Sequence, residues 1–448
     1  MKRIFYLFSI LMMLLACADD DTFSTSSGLR LTFSEDTVSL DTLFSKTPSA
    51  TYAFWVHNRN NDGLRLQSVR LNKRNQTGFR VNVDGAYLDN TTGSQVNDLE
   101  LRSKDSLLVF VELTSQETSQ EAPKLIEDDL IFRLESGTEQ KVNLRAWSWD
   151  AQKMYNLTVT KDSVIESTKP IVLYGGMTVA KGATLTIRNT TLYFHDGRGI
   201  DVYGRLVTDS VVMRGDRLDR MFDYLPYDRV SGQWGTEGGI IFHESSTANV
   251  LYRTEIRNAG LYGILCDSAA YDASVLRLDM QQCVVHNCKG TGLASINANI
   301  RLRECQFSNT LGDCIAINGG NAEIKRCTMA QFYPFSAPRG AALLFANSLP
   351  LYGLTCDSSI VTGYEEDVLM GVLADTTNVF EFQFMNTLLR TPRVETGDSV
   401  RFSNIIWETP KDSIQGKQHF RIIDEDNLFY DFHLDSLSTA KEWGCYPL

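Results

Sequence analysis

The sequence predicts an all-β protein in two parts, a sandwich of antiparallel strands followed by a solenoid of short stacked strands. Apolar and polar residues alternate through Leu29/Leu31/Phe33, Tyr52/Phe54/Val56 and Phe79/Val81/Val83, the period of a half-buried strand. Further on, Cys283-x-Val285-x-Asn287, Cys305-x-Phe307-x-Asn309 and Cys327-x-Met329-x-Gln331 recur 22 residues apart. A long helical pattern interrupts neither part.

The chain opens Met1-Lys2-Arg3 and runs apolar from Ile4 to Leu15, broken at Ser9. As a helix this run reaches about 18 Å, short of the ~30 Å hydrocarbon core of a bilayer, so it reads as an export signal. Leu14-Leu15-Ala16-Cys17 resembles the lipobox of bacterial lipoproteins. The resemblance implies that residues 1–16 are cleaved and that the Cys17 thiol is acylated; an ordinary signal peptide with a chance cysteine is the alternative. Acyl chains contribute ~0.8 kcal/mol per buried methylene and need no spanning helix beside them. Residues 17–27 form an acidic, Ser/Thr-rich tether. Its Ala18-Asp19-Asp20-Asp21 resembles the surface-export signal of Bacteroidetes lipoproteins, and equally suits a solvated linker. Asp36-Thr37-Val38, Asp105-Ser106-Leu107, Asp162-Ser163-Val164 and Asp435-Ser436-Leu437 look like the O-glycosylation sequon of that group, and also like turn chemistry before a strand. These resemblances imply a lipid-anchored protein of the outer membrane, facing the cell surface.

Lys and Arg number 43 against 55 Asp and Glu, and loss of Lys2 and Arg3 with the signal leaves 41 against 55, a net of −14. That excludes nucleic acid and anionic headgroups as partners, since both require a basic footprint. The nine cysteines contain no C-x-x-C pair and no Cys/His cluster with zinc spacing, so no metal or other cofactor is expected. Several lie in alternating apolar runs, where a free thiol acts as a small buried hydrophobe.

Residues 28–150 hold about eight alternating runs with turns such as Asn61-Asp62-Gly63 and Asp84-Gly85, the size and rhythm of an immunoglobulin-like β-sandwich. No paired catalytic groups stand out in it, and the role expected is a spacer or docking module.

Residues 151–410 carry the repeat, and 411–448 are expected to cap it. A fixed period near 22 built of short strands is the mark of a solenoid. Positions i, i+2 and i+4 share a face, so stacked coils build columns of a small residue, a large apolar one and an amide. Thr254-x-Ile256-x-Asn258 fits upstream, and Phe382-x-Phe384-x-Asn386 and Val400-x-Phe402-x-Asn404 fit downstream. Inward Asn side chains are expected to hydrogen-bond from coil to coil. With Gly232-Gln233-Trp234-Gly235, Gly239-Ile240-Ile241-Phe242 and Tyr262-Gly263-Ile264, these features resemble the right-handed parallel β-helix of pectin-lyase-like proteins. The two-part layout resembles a group of Bacteroidetes lipoproteins whose role is unassigned.

Gly312-Asp313-Cys314-Ile315-Ala316-Ile317 resembles a stretch of polygalacturonase-type hydrolases. Inverting hydrolysis needs two carboxylates ~6.5–9.5 Å apart. Only Asp313 matches, with Gly312 in place of the other; one coil earlier Asn287-Cys288-Lys289-Gly290 offers no carboxylate, and one coil later Arg339-Gly340-Ala341 offers no histidine. No catalytic set is assigned, and Asp313 is left as the one position to examine. His286 points away from the Asn column by parity, with no evident partner. The insertion from Arg214 to Trp234 holds Phe222, Tyr224, Tyr227 and Trp234 among four arginines and four aspartates, which suits sugar rings or a wall cover. Three functions stay open: a non-catalytic β-helix that binds glycan or an envelope partner, a glycan lyase or hydrolase, and a structural spacer. Cys17→Ala is expected to abolish lipid labelling and move the protein from membrane to soluble fractions; full retention on the membrane would refute the lipobox reading.

Overall fold

The computed structural model describes residues 22–218, 234–395 and 400–448, so Cys17, Phe222, Tyr224 and Tyr227 lie outside the described residues. The chain forms two compact units, Met1–Asp150 and Ala151–Leu448.

The first unit is a sandwich of two five-stranded sheets. One orders Thr32–Phe33, Tyr52–His57, Ser106–Leu113, Phe79–Val83 and Ala86–Tyr87; the other orders Thr37–Phe44, Glu139–Trp149, Lys124–Leu134, Leu64–Leu71 and Gln95–Leu101. All pairs are antiparallel except Thr37–Phe44, which runs parallel to Glu139–Trp149. Alternation places Phe54, Val56, Val109, Val111, Leu66, Phe132 and Leu144 inside, each fully buried, and a buried side chain of this size contributes about 1.5–3 kcal/mol. Two strands escape the sequence pattern. Ala86–Tyr87 is too short to show a period, and Gln95–Leu101 is kinked by Asp98 at φ 56°, which throws its apolar residues out of step.

The second unit is a parallel β-helix of twenty strands, from Gln152–Val159 to Phe402–Glu408. Ile256, Val285, Phe307, Met329, Val361 and Leu389 pair in register from coil to coil, all with 0% exposure. Two residues before each stands a smaller buried one: Thr254, Cys283, Cys305, Cys327, Ser359 and Thr387. The residue before that turns the corner in the left-handed region, as Arg253, Gln282, Glu304, Arg326, Ser358 and Asn386, with φ between 45° and 54°. This conformation costs a non-glycine residue about 1–2 kcal/mol. It also aims backbone amides at the next coil: Gln282, Glu304 and Arg326 each donate across at 3.0 Å, to Arg303, Lys325 and Asp357 carbonyls.

The asparagines serve a second such corner. Asn258, Asn287 and Asn309 have φ 60°, 57° and 54°, and their backbone N–H groups donate to the carbonyls of His286, Ser308 and Ala330. Asn309 is fully buried between Asn287 and Gln331, but its carboxamide makes no hydrogen bond. Gln331 instead donates to Gly312 O at 2.8 Å. The expected amide ladder therefore fails at Asn309, and left-handed backbone tolerance accounts for the residue type. The downstream register also needs correction. Asn386 and Asn404 occupy the first corner, before Thr387 and Ile405, because Val361 pairs with Leu389 and Thr387 with Ile405. Both corners favour Asn, so an isolated Asn does not identify which one it turns.

A column of glycines explains the Gly-Ile motifs. A Cβ on Gly199, Gly239, Gly263 or Gly292 would approach a carbonyl oxygen of the next coil to between 2.3 and 2.7 Å. Cys314 follows Gly292 in that column, since Leu293 pairs with Ile315. Burial pushes the thiols of Cys266, Cys288, Cys314 and Cys356 up to about 12, which leaves them unreactive.

Within residues 411–448 a hairpin packs on outward side chains of the solenoid. The hairpin Phe420–Asp424/Phe429–Leu434 packs Phe420, Phe432 and Leu434 on the outward Ala330, Phe332, Ile360 and Leu388. Beside it a buried ionic cluster ties the segment to the wall. Glu408 meets Arg390, lies 2.9 Å from His419 Nε2 and accepts the Gly416 N–H at 2.8 Å; His419 Nδ1 lies 2.9 Å from Ser438 Oγ. Burial pushes the Glu408 carboxyl upward, but His419, Arg390 and the Gly416 amide outweigh it and hold the group below the usual glutamate range. Its stabilisation is therefore whole above the unfolded value of about 4.3 and is lost as pH falls through the lower folded value. Glu408→Gln is expected to destabilise the protein by about 3–5 kcal/mol at pH 7, since it strands Arg390 in the interior. Thermal melts from pH 7 to 3 should show that loss, with a shallower acid limb than wild type.

Candidate functional site

The register that builds the core also aligns outward side chains. Arg257 pairs with His286 and His286 with Ser308; two residues back, Glu255 pairs with Val284 and Val284 with Gln306. Arg214 precedes them from the coil before. The C-terminal hairpin ends over this row, and Tyr430 and Phe432 set their rings edge-on to His286 at 5.3 and 6.1 Å. Between wall and hairpin lies a cavity of about 510 Å³, closed on the hairpin side by Phe429, Asp431, His433 and Tyr446.

The two carboxylates in this cavity have partners beside them, and Arg214 on its wall donates to the Gly215 and Arg217 carbonyls. Arg257 binds Glu255, and His433 Nδ1 lies 2.6 Å from Asp431 Oδ1. Burial raises the Asp431 carboxyl, but the His433 amide and ring pull it net below the normal aspartate range. Burial and then Arg257 push His286 down to about 3, so its imidazole is neutral, with Nδ1 2.7 Å from Ser308 Oγ. The Tyr446 ring stacks on His433 at 4.3 Å, and burial with nearby Cys445, Glu255 and Asp431 pushes its hydroxyl upward. Phe429 is 57% exposed at the rim. The site thus offers ring faces, the Asn258 carboxamide, the Arg257–Glu255 ion pair and the Asp431–His433 contact. Such a combination can hydrogen-bond hydroxyl groups and stack on a sugar ring.

A second constellation lies on the outer wall nearer the start of the solenoid. Tyr155 stacks on Tyr174 at 5.0 Å, and Tyr174 meets His195 at 4.6 Å with the rings tilted by 45°. His195 Nδ1 lies 2.6 Å from Oδ2 of Asp216, whose side chain is 1% exposed. Burial pushes the Asp216 carboxyl up, against the pull of His195 and Arg217.

Of the residues singled out in the sequence, Trp234 is not a surface ligand contact. It is fully buried, stacked on Phe194 at 4.4 Å, with Nε1 donating to Arg257 O at 2.7 Å. An indole fills the coil interior there, and the carbonyl satisfies its one polar atom. Asp313 Oδ1 accepts the Ala341 N–H at 2.7 Å, and burial raises its carboxyl. His286, which showed no evident partner in the sequence, is held by Ser308 and the hairpin aromatics. The row Arg257, His286, Ser308 was readable, since each precedes an Asn corner in the repeat. Asp431, His433 and Tyr446 arrive from over 120 residues away and leave no local signal.

Residues 153–329 match the family described as right handed beta helix region. This part of the chain is a right-handed parallel β-helix. No curated protein matches the chain. Among solved structures it is similar to the YadV chaperone, at 10% identity and a TM-score of 0.18 over 27% of this chain and 51% of that one. It is also similar to a family 123 glycoside hydrolase from Clostridium perfringens, at 4% identity and a TM-score of 0.18 over 27% of this chain and 26% of that one. The chain thus spans about half of the chaperone and a quarter of the hydrolase, and neither overlap carries a functional argument.

Asp313→Ala should leave the buried Ala341 N–H unpaired and lower stability by about 1–3 kcal/mol. Asp313→Asn keeps an acceptor and should recover most of that loss in the same thermal melt.

Proposed function

We propose that the protein is a lipoprotein of the outer membrane, held through Cys17, whose β-helix binds a glycan in the groove beneath the C-terminal hairpin without turning it over. One observation supports the binding reading above the others: a cavity of about 510 Å³ sets the exposed Phe429 ring beside a carboxamide, the Arg257–Glu255 ion pair and the Asp431–His433 contact. The membrane part rests on the sequence alone, on Leu14-Leu15-Ala16-Cys17 and the acidic run behind it.

The enzyme reading has its own support in His195. An imidazole oriented by a buried carboxylate is the arrangement of a general base. A polysaccharide lyase or hydrolase acting there would require His195.

Affinity electrophoresis against neutral and acidic polysaccharides, run beside a reducing-end assay, separates the two. Phe429→Ala is expected to weaken retention by up to about tenfold, the size of one ring stack, with the melt unchanged. Unaltered retention would remove the groove from consideration. Product release by wild type that is lost in His195→Ala would replace binding with catalysis.

A further inference from the structure

Both sheets of the sandwich expose apolar side chains on their outer faces: the companion sheet pairs Trp147, 45% exposed, with Leu125, 37% exposed, and the sheet that contains Tyr52–His57 and Ser106–Leu113 exposes three aromatic rings. The companion sheet also carries exposed ion pairs such as Arg65–Glu100 at 2.8 Å, Arg65–Glu135 at 3.6 Å and Lys141–Asp129 at 2.9 Å. On the Tyr52–His57 sheet the register sets Ala53, Phe110, Asn82 and Tyr87 side by side across four strands, with Trp55 facing Leu108 in the neighbouring row. Trp55 is 46% exposed, Phe110 39% and Tyr87 48%, and the Trp55 ring stacks on His57. Single exposed aromatics are ordinary, but three on adjoining positions of one face form a patch of the kind that marks a binding surface.

The patch is also shaped and furnished. Phe110 and Tyr87 wall a recess of about 330 Å³ whose other sides are Arg80, Val81, Asn82 and Glu112. Arg80 Nη2 lies 2.8 Å from Glu112 Oε2, and Thr51 Oγ1 donates to the same carboxylate. Asn82 Oδ1 accepts the Gly85 N–H at 2.8 Å, which fixes the carboxamide with its NH2 group as the donor left for a ligand. Aromatic faces therefore stand beside a balanced ion pair and an oriented amide.

We propose that this face of the N-terminal sandwich is a second carbohydrate-binding surface, one that takes a neutral pyranose ring on Phe110 and Tyr87, with Asn82 and the Arg80–Glu112 pair hydrogen-bonding its hydroxyls. Charge selects the class: Glu112 neutralises Arg80, and a chain with 55 acidic against 43 basic residues repels a uronate or sulfate. An added protein strand is the poorer occupant. Both edges of the sheet, Thr32–Phe33 and Ala86–Tyr87, are two residues long and give strand addition almost no ladder to extend. The inference is independent of the groove, because the two sites share no residue.

The test uses the intact protein in affinity gels containing xylan, mannan, mixed-linkage β-glucan or starch, with Phe429→Ala as the background in which the groove is weakened. That variant should still be retarded by at least one polysaccharide. Adding Tyr87→Ala should weaken the residual retention about tenfold with no change in the melt, and Tyr87→Trp should restore it. Phe110→Ala, two strands across the same face, should act like Tyr87→Ala. The proposal is overturned if Phe429→Ala runs free in every gel while wild type is retarded, an outcome that leaves the groove reading standing. It is overturned as well if residual retention survives both Tyr87→Ala and Phe110→Ala, or if wild type binds none of the four polymers.

Discussion

Register between coils is the constraint on which the rest of the second unit depends. A parallel ladder pairs each residue with its counterpart one turn later, so a side chain chosen at one position is stacked on its neighbours along the axis. The 22-residue spacing of Cys283, Cys305 and Cys327 is the visible trace of that rule. Corners set the register. A left-handed residue before each small buried side chain turns the chain and points its amide at the next coil. Each corner is unfavourable alone and is repaid by a hydrogen bond that only the correctly stacked neighbour can accept. The glycine column from Gly199 to Gly292 tightens the same constraint, since a side chain there would collide with the next turn.

Once inward columns are committed to packing, only outward columns are free for chemistry, and here they are divided by what covers them. The column through His286 and Ser308 continues to Ala330, Thr362 and Arg390. Its later members lie under the C-terminal hairpin, whose attachment depends on the Arg390–Glu408–His419 cluster. Its earlier members, Arg257 and His286, stand where the hairpin stops. The groove is the edge of that cover, so its shape depends on a buried ionic cluster several coils away as well as on the residues that line it.

Much of this was legible from the chain. Alternation gave most strands of the sandwich because one face of each is buried. The repeat gave the solenoid because a small, a large and a turning residue must recur wherever coils stack. Failures have equally physical causes. Asn386 and Asn404 were assigned to the wrong corner because left-handed tolerance is a property of the residue and not of the position. Trp234 looked like a contact residue because aromatic, Arg and Asp neighbours suggest a wet loop, whereas its ring stacks inside on Phe194. The groove could be read only by half. Arg257 and His286 follow the repeat, but Asp431, His433 and Tyr446 meet them through tertiary folding, which no local pattern encodes.

The two surfaces with ligand-like character share a design that the composition explains. A protein with this excess of carboxylates presents a negative field, in which an unpaired arginine would be drawn into ion pairs before it could recognise anything else. In the groove Arg257 is held by Glu255, and on the sandwich Arg80 is held by Glu112. Such a pair still has lone pairs and N–H groups to offer to hydroxyls, but it offers no net charge. The aromatic faces beside it then supply contact area that depends on neither salt nor the global field. On the reading proposed for the two sites, a preference for uncharged, hydroxyl-rich ligands follows from the charge of the whole chain as much as from the residues in contact.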